Sequence, residues 1–189
     1  MATPVDFTQL GPLGDVFSTT SLDVESILGD DGNVPPRVML QAFRSLTPMA
    51  EVTQYVNLWE RLWSDEYVAT YRAMTGWATG HVPFPGAAAK QTVQMLLRDN
   101  ALVTGRPVLG GHQVSLGGIT VPFLSVLGVR DHTIPEPSSA PVMDLVGSAD
   151  KHELRLDGGH IGLVAGRTAE ETTIPTIIGF LRQRSEPQP

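Results

Sequence analysis

Pro122-Phe123-Leu124-Ser125-Val126-Leu127-Gly128 is a continuous apolar run, and Val129-Arg130-Asp131-His132-Thr133-Ile134-Pro135 follows it directly. A run of this length with β-branched content fits a strand buried on both faces of a parallel sheet. A helix is expected over roughly Ser139 to Val146. Lys151 to Leu156 then alternates, with His152, Leu154 and Leu156 on one side and Glu153 and Arg155 on the other, as an outer strand does. A last helix begins near Thr173, has Pro175 in its first turn and carries Ile174, Ile177, Ile178 and Leu181. Strand, helix, strand, helix is the α/β signature.

In open parallel sheets the functional residues sit on loops at the carboxyl ends of strands, where side chains converge above a rigid base. Two loops fit. One carries Asp131 and His132 behind the buried strand. The other, Asp157-Gly158-Gly159-His160-Ile161-Gly162, follows the outer strand, and its small residues let the backbone bring an imidazole close to its neighbours. Acid and then histidine, each beyond a successive strand, is the order of the last two members of an α/β-hydrolase triad. The carboxylate of Asp131 would hold Nδ1–H of His160 and stabilise the imidazolium formed when Nε2 takes a proton. The alternative is that Asp131 only caps a turn and His160 is an ordinary polar loop residue.

A nucleophile should precede both on a Gly-x-Ser-x-Gly elbow or its cysteine version. Neither occurs, and the chain has no cysteine. Ser115, in Gly111-His112-Gln113-Val114-Ser115-Leu116-Gly117, has the wrong spacing and reads as a hairpin residue. His132 adjoins the acid and is a candidate to line the crevice and touch substrate, or else a local hydrogen-bonding residue. His81, His112 and His152 lack any His-x-x-x-His spacing, so no metal site is expected. No cofactor is implied.

Upstream the chain changes character. Thr3 to Phe7, interrupted by Pro4, suits the end of a strand. Leu10 to Pro36 is rich in Gly, Pro, Asp and Ser, with Asp30-Asp31-Gly32-Asn33 as a turn cluster, and reads mostly as loop. Met39, Leu40, Phe43 and Leu46 mark a helix behind Pro35-Pro36. Leu58, Trp59, Leu62 and Trp63 lead into a second, capped by Ser64 or Asp65 and striped by Tyr67, Tyr71, Met74 and Ala78. His81-Val82-Pro83-Phe84-Pro85-Gly86 breaks it, and Ala88 to Leu97 forms a third. No strand is expected from 36 to 100. Trp59, Trp63, Tyr67, Tyr71 and Trp77 read as helix-packing core, with a substrate wall as the other reading. Beyond Gly105, Val108-Leu109, Gly110-Gly111 and Val114 to Leu116 suggest a small hairpin.

The 189 residues are 41% hydrophobic and 17% charged, enough for one domain with a real core. Twenty acidic residues against 13 basic ones give a net charge of -7, and the basic residues are scattered, which argues against nucleic acid. No apolar run approaches the roughly 20 residues that span a bilayer, and the start lacks the pattern of a signal peptide. A soluble, cytoplasmic protein is expected. The lack of cysteine excludes disulfides and thiolate metal sites and leaves the redox compartment open.

Read together, these segments resemble the C-terminal portion of a polyhydroxyalkanoate synthase, in character the shorter, partner-dependent kind. Thr3-Pro4-Val5-Asp6-Phe7 resembles the family's late core strand. Gly32-Asn33-Val34-Pro35-Pro36 with the helices after it, and Pro83-Phe84-Pro85-Gly86, resemble its cap. Arg130-Asp131-His132-Thr133-Ile134-Pro135, Leu145-Val146-Gly147-Ser148-Ala149-Asp150 and Gly158-Gly159-His160-Ile161-Gly162-Leu163 resemble its catalytic end. The resemblance implies the C-terminal part of an α/β-hydrolase fold: an incomplete parallel sheet with a helical cap or lid insertion. It divides the chain into the end of a core strand (1–9), a loop and helical cap (10–105), a core with the acid and histidine loops (106–185) and a tail (186–189).

The same resemblance implies an acyltransferase that moves 3-hydroxyacyl units from coenzyme A onto a growing polyester. It uses a cysteine nucleophile with an aspartate and a histidine, the last two roles falling to Asp131 and His160. The early strands, oxyanion donors and cysteine elbow would lie upstream of Met1, so the chain is expected to be truncated or split and inactive alone. One alternative is a non-catalytic half that complements a nucleophile-bearing chain, a second synthase subunit or the missing N-terminal half. Another is part of a hydrolase such as a polyester depolymerase, with an upstream serine. Association with polyester granules in the cytoplasm goes with the synthase reading.

Overall fold

The computed structural model describes residues 1–11, 14, 23–46 and 50–185, without the side chains of Phe43, Ser45, Leu46, Ala50 and Glu51. Much of the loop expected over 10–36, the Phe43 and Leu46 part of the first helical stripe, and the tail 186–189 lie outside this description. The chain divides into two compact units, Thr20–Val93 and Met1–Thr19 joined with Gln94–Pro189.

The first unit is mainly helical. A short 3-10 turn, Val24–Ile27, is capped by Asp23, whose side chain accepts from Glu25 N–H. Asp31 takes Asn33 N–H at 3.1 Å, and Gly32, at a φ of 74°, turns the chain into β1 (Asn33–Val34). Helices α1 (Pro36–Leu46), α2 (Ala50–Trp59) and α3 (Asp65–Thr79) follow. Pro36 opens α1 where its missing N–H costs nothing. Ser64 caps α3, accepting from Tyr67 N–H, as its position before Asp65 and Glu66 suggests.

Two expectations fail in this unit. Residues 36–100 contain a strand: β2 (Phe84–Pro85) pairs antiparallel with β1, Asn33 opposite Pro85 and Val34 opposite Phe84. Proline is tolerated there because the two-strand ladder is all edge. The close approach of α4 (Gly86–Thr92) to the turn before β1 depends on glycine, since a Cβ on Gly86 would lie 2.1 Å from the carbonyl oxygen of Gly32. The tryptophans are not core either. Trp59, Trp63 and Trp77 are 76%, 80% and 70% exposed, and no residue of α3 is buried. The periodicity of these helices is real, but among the described residues their apolar stripe is covered only in part, at Leu58, Tyr67, Val68 and Tyr71.

In the second unit, Thr3 to Phe7 is not a strand. Ala2 N–H reaches Val126 O at 2.8 Å, so the chain does start beside the buried strand. Pro4 then supplies no donor, and Asp6 accepts from Thr8 N–H to begin a 3-10 turn, Phe7–Gln9. The third expected helix is split between α4 and a π-helical stretch, Val93–Arg98. After the short α5 (Ala101–Thr104), β3 (Val108–Leu109) and β4 (His112–Gln113) form a hairpin about the expected glycine pair, but its second arm is His112–Gln113 and not Val114 to Leu116, because the two-residue loop pairs the residues directly behind it. Gly110 and Gly111, at φ of 57° and 82°, supply the left-handed pair that a two-residue hairpin loop needs.

The centre of this unit is a parallel pair, β5 (Phe123–Gly128) and β6 (Lys151–Leu156), in register from Phe123 opposite Lys151 to Gly128 opposite Leu156. Ser125, Val126, Leu127 and Gly128 are all buried, which is why the run carries no alternation. Val126, Leu156, Leu163 and Ala2 form the core, with Leu124, Ile134 and Leu154 packed on it. The single helix expected over 139–146 is two short ones, α6 (Glu136–Ser139) and α7 (Val142–Leu145), because Pro141 cannot donate within a continuous turn. The last helix, α8 (Ile174–Arg182), has Pro175 in its first turn. The architecture is mixed α/β with small sheets.

Candidate active site

Asp131 and His160 come together at the carboxyl ends of β5 and β6. The chain leaves β5 at Gly128 and turns at once, Asp131 N–H bonding back to Gly128 O at 3.1 Å. That turn aims the Asp131 carboxylate inward, where the residue is 5% exposed and its side chain not at all. One oxygen, Oδ1, accepts from Thr133 N–H at 2.9 Å and Ile134 N–H at 2.8 Å. The other, Oδ2, lies 2.7 Å from Nδ1 of His160. A buried carboxylate needs such partners to remain charged.

His160 is delivered by the glycine-rich turn after β6. Gly158 N–H folds back on Leu156 O at 2.9 Å, and His160 starts the 3-10 turn Ile161–Leu163, whose Leu163 is buried in the core. Leu163 therefore anchors the turn, while the His160 side chain stays 38% exposed. With Nδ1 facing the carboxylate, Nε2 is the ring nitrogen left to exchange a proton with a reacting group. The pair thus has the geometry of an oriented general base.

The other candidates lie elsewhere or lack a partner role. His132 shares the acid loop and is exposed. Ser115 is exposed and lies beyond the hairpin and not in it, capping the 3-10 turn Leu116–Gly118 by accepting from Gly117 N–H at 3.1 Å. His152 leans on Asp150 at 2.8 Å and packs edge-on against Phe180, 5.8 Å between ring centres. Among the described residues no group of His, Asp and Glu has the arrangement of a metal site, and no helix is long and apolar enough to cross a membrane.

Asp131 does cap a turn, through the Thr133 and Ile134 N–H groups, as the alternative reading had it, while its other oxygen faces His160. Two features of the site were not read from the sequence. The contact of Gly128 with the histidine loop, where a Cβ would meet Gly158 O at 2.5 Å, had no signal beyond the glycine itself. The pairing of Arg130 Nε with Asp157 Oδ1 at 2.7 Å joins residues 27 apart, beyond any local rule.

Against known proteins, the chain is similar to poly(3-hydroxyalkanoate) polymerase subunits PhaC. It is 30% identical over 185 residues to that of Allochromatium vinosum, covering 97% of this chain and 52% of the relative. It is 31% identical over 156 residues to that of Haloferax mediterranei, 82% of this chain and 32% of the relative. With the subunit of Thiocystis violacea it shares 27% over 186 residues, 98% of this chain and 52% of the relative. The chain spans about half or less of the length of the curated relatives it matches, and the matched part is their C-terminal portion. No family model matches, and no solved structure matches significantly.

Proposed function

We propose that this chain supplies the acid and histidine of a polyhydroxyalkanoate synthase active site, on the C-terminal part of an α/β-hydrolase fold. The observation that carries the reading is the 2.7 Å approach of His160 Nδ1 to the buried Asp131 carboxylate. The likeness to PhaC subunits over 97% of the chain supports the choice of chemistry. The helical unit Thr20–Val93 is the counterpart of the family's cap.

The nucleophile comes from a cysteine on a partner polypeptide or an upstream half, because this sequence has none. His160 Nε2 takes the thiol proton, and the thiolate attacks the thioester carbonyl of a 3-hydroxyacyl-coenzyme A. The imidazolium gives that proton to the departing coenzyme A thiolate as the acyl group passes to the cysteine. The growing chain's hydroxyl, deprotonated by the regenerated imidazole, then attacks that acyl group, and the C–S bond breaks to release the cysteine, which takes the proton back. Asp131 keeps the ring in the right tautomer and stabilises its charged form. In this reading His132, exposed beside Asp131, contacts substrate. The protein works in the cytoplasm at the surface of the polyester.

The test is to combine this chain with a nucleophile-bearing N-terminal half of a PhaC subunit and follow release of free coenzyme A from 3-hydroxybutyryl-coenzyme A. Turnover is expected from the combination and from neither part alone. His160→Ala should abolish it; unchanged release would remove His160 from the mechanism and overturn the reading.

A further inference from the structure

The two loops that carry Asp131 and His160 are stitched together by residues outside the pair. The stitching begins where the strands end. Val129 N–H continues the ladder to Leu156 O at 2.9 Å, and Arg130 N–H reaches past it to Gly158 O at 3.2 Å. Gly128 lies so close to the Gly158 carbonyl that a Cβ there would stand 2.5 Å from its oxygen. The Arg130 side chain then closes over the same loop. Its Nε lies 2.7 Å from Asp157 Oδ1, and its Nη2 donates to Asp157 O at 3.1 Å.

Both guanidinium contacts thus fall on Asp157, three residues before His160, while Arg130 itself immediately precedes Asp131. The side chains of Arg130 and Asp157 are 66% and 77% exposed. An ion pair so exposed adds little to global stability, which leaves its geometric effect as its main consequence. A guanidinium suits that effect, because its planar fork engages a carboxylate and a carbonyl together where an ammonium makes only point contacts.

We infer that Arg130 is a positioning residue: by gripping Asp157 it holds the histidine loop in the register that lets Asp131 fix the tautomer of His160. This rests on the proposed role of the pair, but its test does not use turnover. The imidazole nitrogen shifts of His160, assigned through His160→Gln in the ¹⁵N-labelled chain, report which ring nitrogen carries the proton.

The unsubstituted chain should show the Nδ1–H form as the main neutral species. In Arg130→Ala the ratio of Nε2–H to Nδ1–H should rise about threefold, a size in keeping with an exposed ion pair. Arg130→Lys should fall between. Asp157→Ala, which keeps the backbone carbonyl contact, should shift the ratio in the same direction but less than Arg130→Ala, and the double variant should equal Arg130→Ala, since the Asp157 carboxylate acts only through Arg130. If Arg130→Ala does not fold, Asp157→Asn, which keeps the backbone carbonyl contact, must show the shift instead.

An unchanged ratio in these variants, additive effects, or an unsubstituted chain with no preference for Nδ1–H would each overturn the inference. Unchanged turnover in His160→Ala would defeat the catalytic reading and leave this clamp standing. An unchanged tautomer ratio in Arg130→Ala would do the reverse.

Discussion

Oδ2 of Asp131 faces Nδ1 of His160 at 2.7 Å while Oδ1 of the same carboxylate is taken by the backbone N–H groups of Thr133 and Ile134. The buried carboxylate therefore has two tasks, orienting the ring and pinning its own loop. Asp131→Ala strips the acceptor from two N–H groups and is expected to cost about 2–4 kcal/mol. His160→Ala removes a half-exposed ring and should cost less. Asp131→Asn keeps an oxygen for the loop and should fall between. Urea unfolding of the three variants measures the order, and an Asp131→Ala as stable as His160→Ala would contradict it.

Two glycines in the helical unit should respond to alanine with opposite signs. A Cβ on Gly86 would stand 2.1 Å from Gly32 O, which is backbone and cannot swing aside. Gly86→Ala should therefore push apart the β1–β2 pair and destabilise by about 1–3 kcal/mol. Gly76, inside α3, has nothing within 4 Å of the corresponding position. Gly76→Ala should stabilise by about 0.5–1 kcal/mol, the usual gain for alanine in a helix interior. Thermal unfolding of the two variants side by side reads both signs.

The parts of this fold that were legible are those where burial leaves a mark on composition. β5 shows as an unbroken apolar run because both its faces are covered, and the two loops behind it and β6 show as an acid and a glycine-flanked histidine. β2 was hidden because it is two residues long and one of them is Pro85, a poor strand former by any propensity. Pro141 divides α6 from α7 in a segment whose composition is otherwise helical. The tryptophans mislead for a different reason. Helical spacing says that Trp59 and Trp63 share a face with other apolar residues, but only tertiary contacts say whether anything lies against it. Arg130 and Asp157 meet through the register of two parallel strands, which no local pattern encodes.

The start of β6 is tied to the end of α8 by Arg184, whose Nε and Nη2 grip the two oxygens of Asp150 at 2.6 and 2.8 Å while its guanidinium stacks 3.9 Å from the Phe180 ring centre. The hydrogen bond from Arg184 holds the Asp150 carboxyl down at about 2 against the opposing effect of burial, with a lesser contribution from the His152 hydrogen bond. Because the folded value is depressed, the contribution is complete above the ordinary carboxylate value and is lost as pH falls through about 2. Asp150→Asn should therefore speed amide hydrogen exchange in Ile174–Arg182 at neutral pH and make no difference in strong acid. Equal exchange at neutral pH would mean that Arg184 does not anchor the helix.

Of the chain's three tryptophans, Trp59 ends α2, Trp63 lies in the turn between α2 and α3, and Trp77 lies in α3, and all are at least 70% exposed. Val52, Tyr55, Val56 and Leu62 are exposed with them. An apolar surface of this kind is a liability for a free chain and drives self-association unless something covers it. The intrinsic fluorescence of the isolated chain has no buried indole to contribute, so its emission should resemble that of solvent-exposed tryptophan and be fully open to acrylamide quenching. Replacing Trp59 and Trp63 with serine should raise the concentration at which the chain stays monodisperse, with little change in unfolding midpoint, because neither ring contributes to a core. A blue-shifted, protected emission would mean that these rings are covered in solution, and the double variant would then lose stability where a gain in solubility is expected.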